Sequence, residues 1–322
     1  MSRVACHNIF MKKICPAALA AILAAATALP AAASSFDQLA GSAGGVSSAA
    51  GDVPEVHFAP ASSGQFFEAQ QYIPPDNDNP GFNWPRHGGR GSEGDFVRIG
   101  AAPTFLKASP ALSDDLAEGT GKCALAASVA YKTVKKPGFE GDHMLVELAE
   151  PLPGCSFTRG YVYMPHVACS SAGGLCELPK TVRAFMDTLA YAEGTKEHYN
   201  YIFTFVTFTS YADHPRRAIC SGSLCSTAAG RYQFLSKTWD SLAGSLGLAD
   251  FTPPNQEKAG LELIRRAGAY NYALKADTYA NFSAGVKKIN TIWASLPGSP
   301  YGQPTHTMKE LWGVYKEALA KY

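Results

Sequence analysis

The chain reads as an α+β protein in two folded parts, and three observations lead to that class. Over residues 96–167 short β-rich segments alternate with Pro/Gly turns. From about residue 181 onward, apolar residues recur at helical spacing between capping signals. Ahead of both, residues 34–95 are rich in Gly, Ser, Pro and Asn without sustained periodicity, the composition of a disordered tether. A length of 322 residues leaves room for about two domains. The expected boundaries are a signal peptide at 1–33, a linker at 34–95, a small all-β domain at 96–168, a joint at 169–179 and a helix-rich domain at 180–322.

Met11-Lys-Lys13, an Ala-rich apolar run over 14–29 and the small-residue stretch Ala31-Ala-Ala33 make a secretory leader, with cleavage expected before Ser34. The run is short and weakly apolar for a membrane span, so no permanent span is expected once the leader is removed; the alternative is a retained anchor. Export to the periplasm or the extracellular space follows. Of eight cysteines, Cys6 and Cys15 lie in the leader. The other six are an even set in an exported chain and read as disulfides, with spacing favouring Cys123 with Cys155, Cys169 with Cys176, and Cys220 with Cys225. They form no Cys-x-x-Cys pair and the histidines are scattered, so neither a metal site nor a cofactor is expected.

With 46% hydrophobic residues and a formal net charge of +1, the composition is that of a globular protein and does not point to nucleic acid. A monomer is expected. The charge is uneven: residues 34–95 carry 2 basic and 8 acidic side chains, residues 181–322 carry 15 and 11. A mildly basic C-terminal half suits an anionic polymer as ligand.

In the β-rich part, the segments Thr104–Lys107, 123–134, 143–148 and 160–164 are separated by turns such as Lys136-Pro-Gly138 and Leu152-Pro-Gly154. About seventy residues of this kind make a small barrel. Tyr161 and Tyr163 alternate with Val162 and Met164, so one pair faces either a ligand or the domain's own core.

In the helix-rich part, Thr181 is the expected N-cap of a helix whose stripe is Val182, Phe185, Met186 and Leu189. Glu193 falls on the same stripe, and Gly194 ends the helix. Desolvation and the negative end of the helix dipole both disfavour an ionised carboxyl there, which is what a general acid needs near neutral pH. The alternative is a Glu that turns outward to water. Residues 199–211 are expected to form a strand pair, and residues 226–233 lead into a helix through Trp239 and Leu246. Thr252-Pro253 opens a helix with Leu261 and Ile264, another ends near Trp293, and Thr307-Met-Lys-Glu310 is a capping box.

Five stretches carry a resemblance. They are Thr188-Leu-Ala-Tyr-Ala-Glu-Gly-Thr195, Tyr211-Ala-Asp-His-Pro-Arg216, Ser226-Thr-Ala-Ala-Gly-Arg-Tyr-Gln-Phe-Leu235, Leu246-Gly-Leu-Ala-Asp-Phe-Thr-Pro253, and Ile292-Trp-Ala-Ser-Leu-Pro-Gly298 with Tyr301-Gly-Gln303. In this order they resemble the lambda-endolysin type of lytic transglycosylase, glycoside hydrolase family 104. The resemblance implies a lysozyme-like catalytic domain and peptidoglycan glycan strands as substrate. It also implies cleavage of the MurNAc-β-1,4-GlcNAc bond with formation of a 1,6-anhydromuramic acid end, and Glu193 as the catalytic acid. In the β-rich part, Thr-Phe-Leu-Lys, Leu-Val-Glu-Leu and Tyr-Val-Tyr-Met-Pro-His-Val resemble the SH3-like domains of bacterial exported proteins, which implies wall peptides or glycan as ligands.

The same resemblance implies a cleft along Ser226, Thr227, Gly230, Arg231, Tyr232 and Gln233, where small residues let a sugar approach the backbone. Gln233 is expected to hold Glu193 or the sugar, or else to cap a helix. Tyr301 and Gln303 match cleft-lining positions. Asp213, beside His214, is expected to pair Arg216 or Arg217 or to accept a hydrogen bond from substrate; a hydrolase would use it as the second carboxylate. Trp239 and Trp293 are expected in the core. The leader, the β domain and the Cys220–Cys225 pair depart from the phage type, so a role in phage lysis is not implied.

Overall fold

The computed structural model describes residues 95–170, 176, 178–221 and 224–322. The expected leader and all but the last residue of the expected linker lie outside the described residues.

The N-terminal described part is built from two antiparallel sheets. Strands β1 (Phe96–Ile99), β2 (Thr104–Lys107), β3 (Lys122–Leu125), β4 (Ala130–Lys132), β5 (Gly138–Glu140), β6 (His143–Glu147), β7 (Arg159–Tyr163) and β8 (Val167–Ser170) sort into a five-stranded sheet of order β3-β2-β7-β6-β5 and a three-stranded sheet of order β4-β1-β8. Alternation makes the core: Val97 and Ile99 from one sheet join Leu106, Leu125, Met144 and Val162 from the other. Val162 and Met164 point inward, and Tyr161 and Tyr163 stay half-exposed on the opposite face. A disulfide joins Cys123 to Cys155, and a second joins Cys169 to Cys176 where the helical part begins.

Helix α1 (Lys180–Ala192) buries the expected stripe of Val182, Phe185, Met186 and Leu189. Its N-cap is Pro179, not Thr181. The Thr181 hydroxyl instead donates to the carbonyl of Leu274, 2.9 Å away, so a tertiary partner has taken the side chain that a local rule assigned to the cap. Two short strand pairs follow, β9 (Tyr201–Ile202) with β10 (Val206–Thr207), and β11 (Ile219–Ser221) with β12 (Leu224–Ser226). The second pair places Cys220 opposite Cys225, and they are disulfide-bonded.

Five helices complete the fold: α2 (Ser236–Leu246), α3 (Pro253–Arg266), α4 (Tyr270–Leu274), α5 (Tyr279–Ile289) and α6 (Met308–Leu319). Helix α3 starts as expected, with Thr252 at the N-cap and prolines in its first turn. Helix α5 stops at Ile289, short of the expected end near Trp293, because the chain turns there and buries Ile292 and Trp293. The capping box of α6 is half made: Thr307 Oγ1 accepts from the Glu310 N–H at 3.2 Å, while the Glu310 carboxylate accepts from His306 and Tyr191. Trp239 and Trp293 are both core residues.

The β part is hooked onto the helical part by the β5–β6 turn. The Tyr211 hydroxyl donates to the Gly141 carbonyl at 2.8 Å, the Gly141 N–H donates to the Thr209 carbonyl at 3.3 Å, and His198 Nδ1 sits 3.0 Å from Asp142 Oδ1. One apolar cluster runs through both parts.

Candidate active site

Glu193 is the C-cap of α1, with φ −78° and ψ −1°, one residue past the last helical position. Gly194 follows at φ +74°, the left-handed conformation that lets the chain turn sharply away. The turn is closed by N–H bonds from Gly194 to the Tyr191 carbonyl and from Thr195 to the Ala190 carbonyl. This ending holds the Glu193 carboxyl against the protein at the negative end of α1. Burial pushes its pKa up to about 7, against a smaller opposing effect from Ser295, whose hydroxyl donates to Glu193 Oε1 at 2.5 Å.

Ser295 is the functional neighbour that the sequence reading missed. It lies in a motif quoted for its resemblance, but a lone serine has no periodic signature, and its partner is 102 residues away. Its placement is rigid. Two residues earlier, Trp293 Nε1 donates to the Tyr232 carbonyl at 3.0 Å, and the Ser295 carbonyl accepts from the His306 N–H at 3.0 Å.

Phe205 was also missed, being read as part of a strand. Thr204 and Phe205 both adopt positive φ, +64° and +62°, in the tight connection between β9 and β10. Consecutive non-glycine residues in that region are strained, and such strain collects at functional sites. Here it thrusts the Phe205 ring, 48% exposed, over Gly194, where an added Cβ would stand 2.9 Å from Phe205 Cζ.

Arg231 underpins the loop. Its guanidinium reaches Asp187 Oδ1 and Glu257 Oε1, each at 2.6 Å, and its Nε donates to the Lys196 carbonyl at 2.7 Å. Lys196 has φ +52°, so this bond holds a strained residue three positions after Glu193. The Arg231 carbonyl accepts from the Thr195 hydroxyl at 2.6 Å. Tyr199 and Tyr232 both donate to Glu257, at 2.7 Å each, on Oε1 and Oε2 respectively, so that with Arg231 both oxygens of that buried carboxylate are hydrogen-bonded.

Most residues expected along a sugar cleft are interior. His214, Ser226, Thr227, Gly230, Arg231, Tyr232 and Tyr301 are all buried. Gly230 is small for a different reason than close sugar approach: at φ +78°, an added Cβ would stand 2.3 Å from Gln256 Oε1. Gln256 is itself buried and accepts from the Arg231 N–H. His214 has both ring nitrogens engaged, by the Phe234 carbonyl and the Arg216 N–H, and burial lowers its pKa to about 4. The Tyr301 hydroxyl donates to the Thr291 carbonyl. Gln233, half-buried, donates to the Gly230 carbonyl at 2.9 Å. Gln303 is half-buried on the loop before α6. Asp213 is exposed and paired with Arg216 at 2.7 Å, and Arg216 also reaches Asp240 at 2.6 Å.

The acidic groups close to Glu193 in sequence are therefore each tied to a cation: Asp187 to Arg231, Glu197 to Lys321 at 3.5 Å, and Asp213 to Arg216. Among the described residues, no group of three or more His, Cys, Asp or Glu could hold a metal ion. The arrangement is a carboxyl with a raised pKa and a hydroxyl donor, on a turn braced by a buried ion network.

Known proteins share this half of the chain. The family described as Endolysin matches residues 183–322. The endolysin of Escherichia phage lambda is 38% identical over 153 residues, covering 45% of this chain and 94% of that protein. The endolysin of Escherichia phage P2 is 34% identical over 157 residues, covering 43% and 93%. A structure of bacteriophage lambda lysozyme complexed with a chitohexasaccharide aligns at 37% identity over 44% of this chain and 95% of that one, with a TM-score of 0.41. Spanning nearly all of the lambda and P2 proteins at these identities, the chain belongs to the endolysin family of cell-wall lytic enzymes.

Proposed function

We propose that the protein is an exported peptidoglycan lytic transglycosylase, with Glu193 acting first as acid and then as base. The observation that carries the reading is the Glu193 carboxyl, raised to about 7 by burial and held by Ser295, with the carboxylates nearest it in sequence committed to cations. Near neutral pH this group is part protonated and can give its proton to the glycosidic oxygen of the leaving GlcNAc as the C1–O bond breaks. The muramic C1 becomes oxocarbenium-like. The Glu193 carboxylate then takes the proton of the same sugar's 6-hydroxyl, whose oxygen bonds to C1. The anhydro ring closes, Glu193 is protonated again, and no water is consumed.

A hydrolase needs a second carboxylate, about 5–5.5 Å away for retention or about 6.5–9.5 Å for inversion. Asp213, locked to Arg216 on the surface, is poorly suited to hold a water or attack a sugar. Residues 226–232, buried as they are, serve by shaping the Glu193 turn, while Gln233 and Gln303 are half-buried. Export is supported by the three disulfides, which persist in oxidising compartments.

Mass spectrometry of fragments released from purified sacculi tests the reading, with wild type beside Glu193→Gln. Anhydro-ended muropeptides from wild type alone are expected. Reducing-end products would make the enzyme a lysozyme instead and return Asp213 to the reaction.

A further inference from the structure

The described surface carries a row of rings that the chemistry at Glu193 does not use. Phe205 covers Gly194, next to the acid. Tyr201 meets Phe205 edge to face at 5.5 Å, and His198 stacks on Tyr201 at 4.7 Å. His198 is fixed by Asp142 in the β5–β6 turn. On the β part, Tyr163 lies 5.5 Å from His143, and His143 lies 6.3 Å from Tyr161. The two groups of rings are neighbours through Asp142: its carboxylate lies 3.0 Å from His198 Nδ1, and its carbonyl accepts from the N–H of Met164, the residue after Tyr163, at 2.8 Å. All six rings are partly open to solvent.

These rings are placed by unrelated local causes. Alternation in β6 and β7 turns His143, Tyr161 and Tyr163 away from the core that Met144 and Val162 fill. A strained turn presents Phe205, and the hook through Gly141 and Asp142 ties the two parts together beside these rings. An aromatic ring offers an apolar face, with a polar tip in Tyr and His, and the C–H faces of β-1,4-linked pyranoses are apolar with polar rims.

We propose that Phe205, Tyr201, His198, Tyr163, His143 and Tyr161 form one track that carries the glycan strand from the Glu193 turn across the β part. This deepens the peptidoglycan reading and rests on it for the identity of the polymer. Continuity with the Glu193 turn is what selects glycan from the two ligands, wall peptides or glycan, that the SH3-like resemblance implies: the track starts where the scissile sugar would lie. A strand held along it is gripped several sugars away from the bond that is cut.

The test uses the full chain carrying Glu193→Gln, so that bound polymer stays intact. Binding is measured to peptide-free glycan strands, prepared from sacculi with an amidase, and to untreated sacculi. Tyr161→Ser with Tyr163→Ser is expected to weaken binding to peptide-free strands about tenfold. Tyr279→Ser, an exposed tyrosine of α5 outside the track, is expected to bind as the parent does. Tyr161→Ser alone, at the far end, gives a milder loss and serves if the double variant melts early. Binding of peptide-free strands within twofold of the parent overturns the track. So does a loss confined to peptide-bearing sacculi, which would assign the rings to stem peptides. If wild type releases no fragments while the tyrosine variants still lose strand binding, the acid assignment falls and the track stands.

Discussion

The Ser295 hydroxyl donates to Glu193 Oε1 at 2.5 Å, joining the end of the first helix to a turn beyond the fifth. A donor favours the ionised carboxyl, and burial favours the neutral one; burial prevails, which leaves the pKa at about 7. Ser295→Ala removes the opposing effect. The Glu193 pKa should rise further, so the alkaline limb of the pH–rate profile should move to higher pH by up to about one unit. A limb that stays in place, or moves down, would show that Ser295 does not act on the acid.

Loss of the acid itself should be severe. Glu193→Gln keeps the volume and removes the proton, and should lower fragment release from sacculi by about 10²–10⁴-fold. The far-UV circular dichroism spectrum should be unchanged, which separates lost chemistry from lost fold.

The same variant tests the burial of that carboxyl through stability. The folded pKa of about 7 stands above the ordinary value of 4.5, so between those values the folded state binds more protons than the unfolded one. The Glu193 contribution is fully present below about pH 4.5 and is lost as pH rises to about 7. Urea unfolding of Glu193→Gln against wild type should show the variant gaining, by at most about 3 kcal/mol, from pH 4 to pH 7.5. A difference that is flat with pH would mean the carboxyl is solvated.

Gly194→Ala meets two obstacles. The residue sits at φ +74°, and the new Cβ would press on the Phe205 ring at 2.9 Å. A loss of about 1–3 kcal/mol in unfolding free energy is expected. Phe205→Ala in the same chain should recover only the steric share, so a double-mutant cycle separates ring contact from backbone strain.

Two arginines of similar appearance in sequence should differ widely. Arg231→Met strands Asp187 and Glu257 and should cost about 3–5 kcal/mol. Arg216→Met loosens exposed pairs with Asp213 and Asp240 and should cost about 0–1 kcal/mol. Melting temperatures of the two variants decide it; equal shifts would refute the hub role of Arg231.

What was legible in the sequence was whatever repeats locally. The stripe of α1, the strand Thr104–Lys107, the Thr252-Pro253 helix start and the three disulfide pairs needed only spacing. Thr181 misled because its hydroxyl found a carbonyl 93 residues away, and Ser295 stayed hidden because its meaning lies across the fold. The 226–233 stretch is a different case. A shared motif reports that residues are constrained, and here the constraint on Gly230, Arg231 and Tyr232 comes from Gln256 and Glu257 within the interior. Phe205 could have been suspected only from its backbone, since nothing in a run of aromatic and β-branched residues marks a left-handed turn.

The Arg231 network has a further consequence for how the chain assembles. Its guanidinium is shared among α1, the loop after Glu193 and α3, segments far apart in sequence. A cation half-surrounded by its partners is worse off than one in water, so the network gains nothing until all three segments arrive together. Formation of the turn that carries the acid is thereby coupled to closure of the whole helical part. A partly folded chain leaves Glu193 an ordinary solvated carboxylate, so the raised pKa on which the proposed acid role depends arises only when folding is complete.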